Sequence, residues 1–136
     1  MKRLLALFCL AGLLITGCSR TFQGELVDLT LLNETMLNAR YNSIMINDSK
    51  SYVGHNIKIR GPYQAVEISD AGVTVHSVLT KEGGGCCAGR FDFVMRENEY
   101  PPEGSIVELT GVFTRGPMQN GEPYYYLAAD EFVVVE

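Results

Sequence analysis

The chain reads as a mainly β protein of the α+β class, a five-stranded sheet preceded by one N-terminal helix. Three observations predict this. From Gly54 onward, short runs of alternating apolar and polar residues are separated by turn residues. Before Gly54, a single stretch carries apolar residues at spacings of three to five, an approximate helical stripe. The length left after an N-terminal leader suits one compact domain with a small core, and shows no internal repeat or low-complexity tract.

The helix is expected from Glu34 to about Ile46. Asn33 followed by Glu34 fits an N-cap, and Asn47-Asp48-Ser49-Lys50 ends the run. Met36, Leu37, Ala39, Tyr41, Ile44 and Met45 form its apolar stripe, read as a packing surface and not as a cofactor box. The first strand, His55 to Ile68, alternates through Ile57 and Ile59 and should bend at Gly61-Pro62. A second runs from Val73 to Thr80 after the Ser-Asp-Ala-Gly turn, and a third from Arg90 to Met95. In the fourth, Ser105 to Arg115, Val107, Leu109, Gly111 and Phe113 share one face. Asn120-Gly121 is the expected hairpin tip leading to the fifth, which takes in Tyr124 to Leu127 and Phe132 to Val135. Five strands of these lengths, several bent by glycine, can close on themselves and remove sheet edges; the five-stranded solution is an OB-like barrel.

Two phrases carry a resemblance. Tyr52-Val-Gly-His-Asn-Ile-Lys-Ile-Arg-Gly and Glu103-Gly-Ser-Ile-Val-Glu-Leu-Thr-Gly-Val-Phe resemble the paired strand entries of exported OB-like domains. With Cys86-Cys87-Ala88 and the Tyr-Pro-Pro segment, residues 28 to 136 are similar to a group of small bacterial lipoproteins of the Firmicutes type. More distantly, the Cys-Cys-Ala stretch is similar to the OB-like part of permease-associated membrane proteins. The resemblance implies a fold and a place, and no assigned activity.

The N-terminus gives the place. Lys2 and Arg3 precede an apolar run from Leu4 to Ile15, too short to span a bilayer comfortably and proportioned as a signal peptide. Ile15-Thr16-Gly17-Cys18 resembles the lipobox of bacterial lipoprotein precursors, which implies that residues 1–17 are removed and Cys18 is lipidated. Residues 18–27 then form a tether, and 28–136 the domain. Several acyl chains on one residue exceed the marginal binding of a single chain. The expected location is the cell membrane or outer membrane, facing away from the cytoplasm. Ser19 lacks the aspartate that resembles an inner-membrane retention signal. Loss of the leader leaves 9 basic against 16 acidic residues, a net charge of −7, so the electrostatic part of nucleic-acid binding is missing. Nucleic acid is excluded as a partner on this expectation.

Of four cysteines, one leaves with the leader and one takes the anchor, so Cys86 and Cys87 remain. Adjacent residues across a trans peptide lie about 3.8 Å apart at Cα, below the usual disulfide span. Two thiols in a glycine-rich bend suit a soft ion, zinc or copper(I), if the backbone turns to aim both at it. His76, ten residues before Cys86, is the candidate third ligand across a hairpin, with Asp92 or Glu82 to complete the set. The resembling group implies a histidine at this separation. Against this stands the plainer reading of one cysteine in the core and one bystander. No nucleophile elbow, His-Glu-x-x-His pair or phosphate loop is present, so an enzyme is not expected. Tyr124-Tyr125-Tyr126 should alternate across the sheet, offering Tyr124 and Tyr126 to a partner or as a shield for its outer face. The expected role is a ligand-binding accessory module of the cell envelope, its partner a small ligand or an envelope protein.

Overall fold

The computed structural model describes residues 24–81 and 88–135. It holds six strands: β1 (Leu26–Asp28), β2 (Asn56–Ile68), β3 (Val73–Leu79), β4 (Arg90–Met95), β5 (Ile106–Gln119) and β6 (Glu122–Val134). Helix α1 (Glu34–Asn42) continues into a π-helical turn over Ser43–Asn47, and α2 (Ser49–Tyr52) is one short turn more. The fold is mostly β, as expected, and the count of five strands is corrected to six. The added strand, β1, takes Leu26 and Val27 from the expected tether into a parallel ladder with β2. The expected break in the fifth strand is also absent, since β6 runs unbroken past Ala128, Ala129, Asp130 and Glu131 along β5.

Hydrogen-bonded neighbours run β1-β2-β3-β4-β6-β5, and β5 pairs back onto β2. Strand β2 makes this possible by changing partners at its middle. Residues Asn56 to Pro62 lie against β5, while Tyr63 to Ile68 lie against β3. The corner falls beside Gly61, where a Cβ would stand 1.9 Å from the carbonyl oxygen of Leu79. No other residue fits so close an approach without moving β3.

The alternation seen in the sequence sets the inner face. Ile57 and Ile59, Val78, Phe91, Phe93, Met95, Val107, Leu109, Phe113 and Leu127 are all buried together. Gly111 shares that face with Leu109 and Phe113 and brings β5 against Leu127. The Asn120-Gly121 tip has φ of 49° and 80°, the left-handed pair a two-residue hairpin requires.

The Asn33 side chain accepts from the backbone N–H of Met36, confirming the cap. Helix α1 docks through Tyr41, whose ring lies against Gly89 and edge-on to Phe91 at 5.3 Å. Leu37 and Met45 pack on the core and Ile44 is buried within it. The expected packing stripe is corrected at two positions, because Met36 and Ala39 face solvent. Among the described residues, no helix is long and apolar enough to cross a membrane.

Candidate functional site

An open groove of about 840 Å³ lies over β3, β4 and the start of β6. Its floor is apolar, from Ile68, Val73, Val75, Phe93 and Val94, and its polar groups are His76, Arg90, Asp92, Asn98, Tyr100, Gln119 and Tyr124. The hairpin register builds the polar cluster. Ser77 lies opposite Asp92 in the β3–β4 ladder, and Arg90 and Asp92, two apart on β4, share one face.

Asp92 is the centre of that cluster. One carboxylate oxygen accepts from the Ser77 hydroxyl at 2.7 Å and from Arg90 Nε at 2.9 Å; the other accepts from the Tyr124 hydroxyl at 2.9 Å. Asp92 is only 8% exposed, so these three donors replace the water it has lost. A carboxylate has about four acceptor positions, which leaves one on the Tyr124 side. Burial, and then the neighbouring Asp92 charge, push the Tyr124 hydroxyl well above the ordinary phenol range, so it stays a donor. The Arg90 side chain is half exposed and only its Nε is engaged by Asp92, so it presents further N–H groups to the groove.

The tyrosine run alternates as expected. Tyr125 is buried and stacks on Phe113 at 5.2 Å. Tyr124 and Tyr126, half-buried on the other face, stack on each other at 5.9 Å and lie across Gly116. A Cβ on Gly116 would meet both rings at 3.1 and 3.2 Å. Tyr124 therefore lines the groove and is held in place by its partners, whereas Tyr126 supports it from behind.

His76 occupies the other side of the groove. Its ring stacks on Tyr100 at 3.5 Å, and Nδ1 is 2.7 Å from the Tyr63 hydroxyl. Burial holds its pKa below the usual histidine value, favouring the neutral ring. Tyr63 is shifted upward by burial, so its hydroxyl stays protonated.

Cys86 and Cys87, proposed above with His76 as metal ligands, lie outside the described residues, as do Glu82 and the lipidation candidate Cys18. The β3–β4 register places His76 opposite Phe93. The hairpin continues to Thr80, whose N–H bonds the Gly89 carbonyl at 2.9 Å, and His76 stands about 13 Å back along β3 from Thr80. Asp92 is already committed to three donors. Among the described residues, no three metal-ligating side chains cluster. His55 is a turn residue as expected, its Nδ1 at 3.1 Å from the Tyr52 carbonyl.

Sequence reasoning joined His76 and Asp92 only as candidate metal ligands, kept Tyr124 apart as a partner surface, and missed Ser77, Arg90 and Tyr100. The signal was an acid between two phenylalanines in Arg90-Phe-Asp-Phe, with its charge partner two residues away on the same face.

No family model matches the chain, and no curated protein matches it. Among solved structures it is similar to the solution NMR structure of the second OB-fold domain of replication protein A from Methanococcus maripaludis. The two share 15% identity with a TM-score of 0.31, over 62% of this chain and 86% of that one. The fold of the described residues is mostly β, a sheet whose β5 pairs back onto β2. The exclusion of nucleic acid is corrected: a net charge summed over the chain speaks only to the electrostatic part of such binding and does not rule that partner out.

Proposed function

We propose that the chain is a lipid-anchored, extracytoplasmic binding module that uses the β3–β4–β6 groove to hold a ligand and performs no chemistry on it. Strands β2 to β6 act in this reading as a five-stranded OB-like barrel, and Cys18 carries the anchor. The observation that supports it most is the Asp92 cluster. A nearly buried carboxylate, fixed by Ser77, Arg90 and Tyr124 at the edge of a groove with an apolar floor, is a preorganised recognition surface. Ligand pockets combine an apolar lining with a few placed polar groups in this way. The Ser77 hydroxyl is buried and committed to Asp92, so it supports the carboxylate and does not face a ligand, which favours binding over catalysis.

Two measurements on one preparation test the proposal. Intact mass of the protein from the membrane fraction should show removal of residues 1–17 and acyl addition, both lost in Cys18→Ala. A fragment-library screen by NMR should shift the amides of His76, Asp92 and Tyr124 before others; shifts confined elsewhere would move the site. Metal content of the same material decides whether Cys86 and Cys87 hold zinc or copper.

A further inference from the structure

The face where the chain enters the domain is more apolar than a free surface needs. Leu31 is 81% exposed, Leu26 55% and Met36 54%. Leu26 and Met36 are connected through Leu32 and Arg40, and Leu31 is the chain neighbour of Leu32. Leu26, Leu32 and Arg40 border one depression beside Tyr52 and His55, and Leu32 and Arg40 also border the next, with Met36 and Ala39. Helix α1 has no buried residue, so one side packs on the sheet through Leu37 and Tyr41 while the side bearing Met36 and Ala39 has no cover within the described residues.

The entry point of the chain fixes what lies next to this face. The Gly24 carbonyl accepts from the Asn56 side chain and the Glu25 carbonyl from the Asn56 N–H, so the tether leaves the domain two residues from Leu26. Only Ser19 to Gln23 separate Gly24 from Cys18. Fully extended, that tether spans about 20 Å. A lipid on Cys18 therefore holds Leu26, Leu31 and Met36 beside the acyl–headgroup boundary at an effective concentration in the millimolar range, where weak apolar contacts suffice.

We infer that this face rests on the bilayer, with Leu26, Leu31 and Met36 dipping into the boundary. The inference rests on the lipid-anchor reading of Cys18. Charge does not drive it, because Glu25, Asp28 and Glu34 accompany Arg40 here, and the Asp28 carboxyl is held ionised chiefly by the Thr30 hydroxyl. The driving term is removal of leucine and methionine surface from water. The groove shares no lining residue with this face and is left open to the envelope space.

The chain has no tryptophan, so a single one reports its own surroundings. Full-length lipidated Leu31→Trp, Met36→Trp and, as the groove control, Val94→Trp are placed in phosphatidylcholine–phosphatidylglycerol vesicles with brominated acyl chains. Exposure at all three positions makes the substitutions tolerable to the fold. Fluorescence at positions 31 and 36 should be quenched several times more than at 94. Equal quenching at all three, or none at 31 and 36 in a chain whose mass shows the lipid, overturns the inference alone. A mature mass without acyl addition overturns the anchor and this inference together.

Discussion

The groove face and the chain-entry face meet the same solvent and balance their surfaces in opposite ways. In the groove, Asp92 is surrounded by Ser77, Arg90 and Tyr124 from three strands, and among the described residues no buried side-chain polar atom lacks a partner. On the entry face, Leu31 and Met36 are exposed and have nothing over them among the described residues. Polarity can be satisfied from within because one donor at hydrogen-bond distance suffices. Apolar surface needs area, and a domain of this size has too little to cover every face. The difference separates a surface organised by the chain for recognition from one completed by what lies outside it.

The comparison can be broken most forcefully at the layer beneath both faces. Phe91 is 1% exposed and supports Tyr41 on one side and the β4 register on the other. Phe91→Ala should cost about 3–5 kcal/mol in denaturant unfolding. A loss under about 1 kcal/mol would mean the helix and groove do not share a core.

Next in size is the cluster itself. Asp92→Ala leaves the buried Ser77 hydroxyl and the Tyr124 hydroxyl without their acceptor, and should cost about 2 kcal/mol. Half-exposed Arg90 returns to water and adds little. Asp92→Asn keeps an acceptor and should recover part of the loss. If both variants unfold like the parent, the groove is not preorganised.

The smallest effect is in pH. Burial lowers the His76 pKa in the fold, so the unfolded chain takes up its proton first. Stability from this residue is complete above about pH 6.5 and is lost as pH falls from there toward the folded value. His76→Gln should flatten that slope, read as unfolding free energy against pH. An unchanged slope would place the titration on another group.

Strands whose residues alternate cleanly were legible in advance. β4 was read with its bounds, Gly61-Pro62 marked the corner of β2, and Asn120-Gly121 the hairpin tip. Strand β1 was not, because three residues held by a parallel partner beyond α1 have no period of their own. The apparent gap in β6 misled for a similar reason, since small and acidic residues from Ala128 to Glu131 break the apolar pattern while Ala128 and Ala129 still pair with β5 and the ladder resumes at Phe132 after a register shift. The helix ends early at Asn42 in a wider turn, and within α1 a period of 3.6 residues already puts Met36 and Ala39 on the side away from Leu37 and Tyr41. The Asp92 cluster depends on which residues face each other across strands, and that register is set by the hairpins and the β2 corner. Net charge, finally, proved too coarse to exclude a class of partner.

One pairing has a consequence for how the molecule is made. β6, the last strand, joins β4 to β5, and β5 in turn reaches back to β2 across the whole β3–β4 hairpin. Until the thirteen-residue β6 has emerged, β4 and β5 each present an open edge, and the long-range ladder is held by the β2–β5 pairs alone. The sheet therefore closes only once Glu122–Val134 is present, and a chain truncated before Glu122 leaves β4 and β5 each with an edge open to a protease or to another such chain.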